Sequence, residues 1–363
     1  MTPSLAATIA ARFPLVARKR PPAKPLDARV DRLVRLAETA HCESDPDKAS
    51  MVFNGAALVA SDCGDPNLAR AWCRRHASIY LNRAPLNGYT ARFALEPVVN
   101  LARLRIRDGD GDGAYRLLTH LYTAIVGGSP ALLDDLEIHP RQLPADPEQL
   151  NQIIKWLRGT LLSDGTRALT LAGRWDDAVS HIRRYDGIEP TLLDGRQVAI
   201  VAHLLQDEEL TAAALLTATK IETPWEQAVR GLLNTWQGLA VETVAVDHAD
   251  LINRVSAVPR TPGLAVFRVR LGLTALDLSV GLPSEVAHGL IKQLVADAIH
   301  EEDANAARDL ISHSAVAAEH QGTLRPLMKA SGLDQGYLPA TASDPLSVAL
   351  DLAETVMGAA LLE

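Results

Sequence analysis

Carboxylates are the residues whose spacing in this chain comes nearest to metal chemistry. Asp108, Asp110 and Asp112 alternate with Gly109, Gly111 and Gly113, and acids at loop positions one, three and five with glycine at six match the opening of a calcium loop. Position twelve should supply a bidentate glutamate, but it is Thr119, and the stretch from Ala114 to Leu121 already reads as helix. A polar turn between helices accounts for the run better than an ion does. Asp134-Asp135-Leu136-Glu137 could hold magnesium on a diphosphate, yet no second Asp/Asn-Ser-Glu ligand set follows it. His300, Glu301, Glu302, Asp303, His313, Glu319 and His320 are all of ligating type. His313 and His320 stand two helical turns apart, roughly 10 Å, too far for one ion. Cys63, Cys73 and His76 would suit zinc by type, but a cysteine on an inward helix face more often serves as a small hydrophobe. No phosphate loop, dinucleotide-binding glycine fingerprint or nucleophile elbow occurs. No metal and no cofactor are expected, and no catalytic residue can be assigned.

The elements that would position any site are helices. The chain has 363 residues, 47% of them apolar and only 4% aromatic, so burial rests on Ala, Leu and Val, which suit close helix-on-helix packing. The length exceeds one ordinary core and fits either several domains or an elongated array. Arginine outnumbers lysine 29 to 7, a bias that hints at a GC-rich bacterial source. The net charge of −8 is uneven, because residues 1–35 carry +6. The body is therefore a poor candidate for general nucleic-acid binding, and only the basic head, Arg18-Lys19-Arg20 followed by Pro21, Pro22 and Pro25, could serve it. No apolar run is long enough to span a membrane, and the first residues lack the layout of a secretory signal. Three cysteines in so long a chain fit a reducing cytoplasm.

Residues 161–190, LLSDGTRALTLAGRWDDAVSHIRRYDGIEP, place Ala172 and Gly173 at a helix end and then Trp175, Ala178, Ile182 and Pro190. That order resembles one tetratricopeptide unit, with Ala178 at the close helix contact, Gly173 in a left-handed turn and Pro190 closing the second helix. Ala212 and Pro224 lie 34 residues beyond Ala178 and Pro190, the period of that family. Looser copies centre on Ala69 and Ala114. Beyond Pro224 helices are expected over 224–240, 248–257, 262–280, 284–300, 303–320 and 344–361, punctuated by Pro259, Pro262, Gly281, Pro283, Gly322 and Pro326. No strand is expected. The stretch 127–149 interrupts the repeat as a long connection of the kind that often carries function. The fold class is thus all-α, a right-handed superhelix of antiparallel hairpins. Residues 1–30 form a basic, partly disordered segment, 31–240 the repeats, and 241–363 further helices and a cap, with Leu346, Leu350, Ala353, Val356 and Ala360 on one stripe.

The resemblance implies that the first helix of each hairpin lines a concave groove. Its groove residues would be Asn54, Leu58, Ser61 and Asp62 in the first unit, Ser163, Arg167 and Thr170 in the 161–190 unit, and Gln197, Val201 and Leu204 in the next. Asp164 with Arg167, and Asp194 with Arg196, could present guanidinium groups to a carboxylate or could form local ion pairs and caps. The expected function is a cytoplasmic interaction scaffold for a protein or peptide, in a regulatory role or as an accessory to biosynthesis. A helical ligand sensor, or an all-α tailoring enzyme of bacterial specialised metabolism, is the alternative, and a small-molecule ligand and a homodimer stay open.

Overall fold

The computed structural model describes residues 3–83, 85–241, 248–279, 283–333 and 335–361. Among them are seventeen α-helices and one short β-hairpin. The chain divides into two compact units, each assembled from two separated stretches. The arm unit contains Met1–Lys24 and Arg174–Ser331, and the stack unit contains Pro25–Gly173 and Gly332–Glu363.

The stack unit runs α2 (Leu26–Glu43), α3 (Pro46–Asp62), α4 (Pro66–Leu81), α5 (Gly88–Arg107), α6 (Gly111–Gly127), α7 (Pro147–Leu171) and, after the second crossing, α17 (Ala340–Ala360). Three of its helices open on the same device. Asp45-Pro46, Asp65-Pro66 and Asp146-Pro147 place a carboxylate at the N-cap, accepting a backbone N–H, and proline in the first turn. Proline's missing N–H costs nothing there, and its fixed φ starts the helix. Ala69 and Ala114 have no exposed surface, as expected of the methyl side chains that let α3 meet α4 and α5 meet α6. Each helix from α2 to α7 packs on the next, α3 also meets α5, and α5 meets α7. α17 covers α2 and α3.

The stretch 127–149 is not a bare connection. Residues Ala131–Leu133 (β1) and Leu136–Ile138 (β2) pair antiparallel. Asp134 and Asp135 both turn through positive φ, 46° and 67°, the signature of a two-residue hairpin loop. Ala131, Leu133, Leu136 and Ile138 are buried, with β1 against α6 and β2 against α4. The sequence hides this hairpin because each strand is three residues long and its loop lacks glycine.

The arm unit contains α1 (Pro3–Ala10), α8 (Trp175–Arg184), α9 (Asp194–Leu205), α10 (Glu209–Thr217), α11 (Pro224–Val241), α12 (His248–Ser256), α13 (Ala265–Leu278), α14 (Ser284–Glu301), α15 (Ala304–Ile311) and α16 (Ala318–Ser331). From α8 to α16 each helix packs on its successor. α13 is buried over most of its surface, the mark of a helix at the centre of a unit. Its Arg268 sits in that interior, bonding Asp297 at 2.8 Å and the Val258 carbonyl.

Several expectations need correcting. The division between units falls at Gly173 and Arg174, inside the segment with the clearest repeat marks. α7 packs on α5 and α6, while α8 packs on α9. Pro190 does not end α8. The helix stops at Arg184, Asp186 takes φ 57°, and the Gly187 N–H closes onto the Ile182 carbonyl at 2.9 Å. The 303–320 segment is two helices, α15 and the start of α16, rather than one. Gly281 lies outside the described residues. The basic head begins with α1 and buries Ile9, Phe13 and Leu15. Ala360 is exposed, whereas the other four residues of its stripe on α17 are buried.

Candidate functional site

In the stack unit, α3, α5 and α7 share a connected polar row. Asn100, Arg103 and Arg107 stand at i, i+3 and i+7 on α5, on one helical stripe. The Asn100 amide donates to Asn54 Oδ1 on α3 at 2.9 Å. Arg103 donates through Nη1 to Asn100 Oδ1 at 3.0 Å and through Nε to Asp164 Oδ2 on α7 at 2.9 Å. One turn on, Arg107 Nε donates to Ser61 Oγ at 2.8 Å and Nη2 to Asp62. Asp62 is only 4% exposed and also binds Arg29 of α2. Two guanidinium groups on one buried carboxylate leave a net positive charge at this end of the row. Arg103 remains 47% exposed and Arg107 34%. Each is held by a carboxylate while its side chain stays partly exposed, an arrangement suited to a carboxylate arriving from outside.

Among the residues expected to line a groove, Asn54, Asp62, Ser163, Arg167 and Thr170 are all on the three helices that carry this row. Asp62 is buried and paired rather than presented to solvent. The Ser163 hydroxyl donates to the Gly159 and Thr160 carbonyls, and that of Thr170 to the Arg167 carbonyl. Those hydroxyls can still accept. The α5 contributors Asn100, Arg103 and Arg107 escape the sequence reading, which followed Ala114 through this hairpin. The alternation Arg103-Leu-Arg105-Ile-Arg107 holds the signal: Arg103 and Arg107 are one turn apart, and Arg105 turns elsewhere, to Asp110 and Asp134.

Arg196 and Gln197 belong to the arm unit and are enclosed there. Arg196 donates to Thr219 Oγ1 at 3.1 Å and to the Leu215 carbonyl at 3.0 Å. Gln197 has no exposed surface. Its amide holds the backbone of Leu15, accepting that N–H at 2.7 Å and donating to that carbonyl at 2.9 Å.

The metal-like motifs resolve into structural parts. Asp110 caps α6 by accepting the Gly113 N–H at 2.8 Å, and Asp108 pairs with Arg70 at 2.6 Å. Asp134 binds Arg105, and Asp135 lies 3.7 Å from Arg74. His313 lies 3.1 Å from Asp277, whose other oxygen takes Arg12 at 2.6 Å. Burial works to raise the Asp277 carboxyl, but His313 and Arg12 outweigh it and lower the pKa below the usual carboxylate value. Burial pushes the Cys63 thiol up to about 11 and that of Cys73 to about 12, which removes the thiolate that metal binding or nucleophilic attack requires. Among the described residues, no group of three or more His, Cys, Asp or Glu side chains could hold an ion.

Ser50 and His76 form a serine–histidine contact of 3.1 Å in the core, with Tyr80 3.4 Å from the same hydroxyl. Catalysis there is disfavoured by electrostatics. Burial pulls the imidazole down to about 3, so it is a weak base at neutral pH, and its Nδ1 has no acceptor to orient it. Comparison with family models, curated proteins and solved structures gives no match. Among the described residues, no helix is long and apolar enough to cross a membrane.

Proposed function

We propose that this chain is an interaction scaffold of tetratricopeptide-like type, and that its stack unit binds an acidic protein or peptide segment across α3, α5 and α7. The carrying observation is the row from Asn54 through Asn100 and Arg103 to Asp164, continued by Arg107 beside Ser61 and Asp62. It crosses α3 and α5, the first helices of two successive hairpins, and reaches α7, which packs on α5 and α6; on a helical-repeat solenoid such first helices would line the concave side. Fixing the guanidinium groups in advance lowers the entropy lost on binding. The partner chemistry follows from the partly exposed guanidinium groups, which favour carboxylates over neutral groups.

The test immobilises the full chain and probes it with an array of acidic and neutral synthetic peptides. Acidic sequences should bind selectively, and Arg103→Glu should weaken them about tenfold, the loss of one charge-assisted contact. Circular dichroism serves as the folding control. An array without acidic binders, or binding that both Arg103→Glu and Arg167→Glu leave unchanged, rules the reading out.

A further inference from the structure

Residues 12–24 lie on the rest of the arm unit as a bound peptide lies on its receptor. Three stations read their backbone. Gln197 on α9 satisfies both the N–H and the carbonyl of Leu15 with one amide. The Gly263 carbonyl accepts the Arg20 N–H at 3.1 Å. At the α14–α15 turn, Asp303 Oδ1 accepts the Ala23 N–H at 3.1 Å, and the Ala304 N–H donates to the Ala23 carbonyl at 3.2 Å. Gly263 has φ +85°, and a Cβ there would lie 3.0 Å from the Arg20 carbonyl oxygen. The close approach at the middle station therefore requires glycine.

Side chains add selectivity at three further points. Arg12, Arg18 and Lys24 are six residues apart and pair with Asp277 at 2.6 Å, Asp194 at 3.0 Å and Glu302 at 2.7 Å. Between the first two, Phe13 tilts against Trp236 with centroids 6.1 Å apart, and Leu15 is buried. From Phe13 to Lys24 the segment is irregular, with tight turns that close the Arg18 N–H onto the Val16 carbonyl at 2.8 Å and the Lys24 N–H onto the Pro22 carbonyl at 3.0 Å; backbone contacts, apolar anchors and evenly spaced cations opposite acids are also the means by which peptides are recognised. Pro14, Pro21, Pro22 and Pro25 keep the segment out of a helix. That lowers the entropy it loses on docking.

We propose that the surface formed by α9, the Gly263 turn and the α14–α15 turn is a peptide-binding site. Its ligand is a non-helical, proline-containing cationic segment with an apolar anchor, and the chain's own residues 12–24 fill it in cis. An external segment of the same pattern binds there by displacing the arm. This site is separate from the acidic-ligand face of the stack unit and does not rest on it.

The experiment inserts a protease site between Lys24 and Pro25 of the full chain, cuts it after folding, and adds excess fluorescent peptide of residues 1–24. The labelled peptide should co-elute with the chain at one equivalent, replacing the cut arm. A peptide with Arg12, Arg18 and Lys24 changed to Glu should not be retained. In the cut chain carrying Gln197→Ala, retention should weaken about tenfold, the loss of a buried two-bond contact. The proposal is overturned if the cut arm never exchanges, if the charge-reversed peptide is retained equally, or if cutting unfolds the helices, which would make the arm a core element and not a ligand.

Discussion

His76 carries its imidazole fully inside the stack unit, stacked on Phe53 with centroids 5.0 Å apart. Burial lowers its pKa to about 3, against roughly 6.5 in an unfolded chain. Between those values the unfolded chain binds a proton that the folded chain refuses. Stability is therefore fully present above about pH 6.5 and falls as pH drops towards 3, at up to about 1.4 kcal/mol per pH unit from this residue. Replacing it in a His76→Phe variant should remove that component. Urea titrations between pH 7.5 and 5 should show a flatter dependence of unfolding free energy on pH than the parent shows, and parallel curves would exclude the histidine as the source. Nothing in the sequence marks His76 as wholly enclosed, because Ser50 and Tyr80 reach it from different turns of α3 and α4. Asp62 is similar: its residue type and helix are legible, but its two arginine partners lie 33 and 45 residues away.

Helix crossings set what the elements tolerate. A Cβ on Gly111 would stand 2.3 Å from the Ala168 carbonyl oxygen of α7, and backbone cannot swing aside as a side chain can. Gly111→Ala should part α6 from α7 at a cost of about 2 kcal/mol or more. Gly159, in the interior of α7, has nothing within 4 Å of a Cβ. There Gly159→Ala should stabilise by about 0.5 to 1 kcal/mol through helix propensity. Thermal melts of the two variants should shift in opposite directions, and a shared direction would mean that propensity, not clearance, decides both. At this scale the sequence is informative. Asp-Pro pairs announce α3, α4 and α7, and fully buried alanines mark the α3–α4 and α5–α6 hairpins. Pro190 misleads because a proline after a helix need not end it; Asp186 in a left-handed conformation already has. The acceptors of the arm, from Asp194 to Asp303, lie 176 to 280 residues from their partners, and no local spacing encodes such a match.

Across the whole molecule the chain crosses between units at residues 24, 173 and 331. The stack unit is therefore closed by residues far along the chain. α17 covers α2 and α3, and Arg75 of α4 bonds Glu354 at 2.7 Å and Asp351 at 2.6 Å. The Gly336 N–H donates to the Cys63 carbonyl at 2.7 Å. Removing residues 332–363 should cost α2 and α3 their amide protection in hydrogen exchange while α13 keeps its own. Uniform loss across both units would show instead that the molecule unfolds as one cooperative body. The stripe on α17 predicts a buried face; which helices it covers is a matter of topology and is not written in that stripe.

The same interleaving governs how the protein is made. On a ribosome, α2 and α3 emerge almost 300 residues before the helix that covers them, an interval of roughly 15 to 60 s at ordinary elongation rates. Throughout it, α2 and α3, which α17 covers in the finished fold and where Ser50 meets Met357, lack that cover. The face of α2 and α3 that meets α17 thus stays open for most of the synthesis.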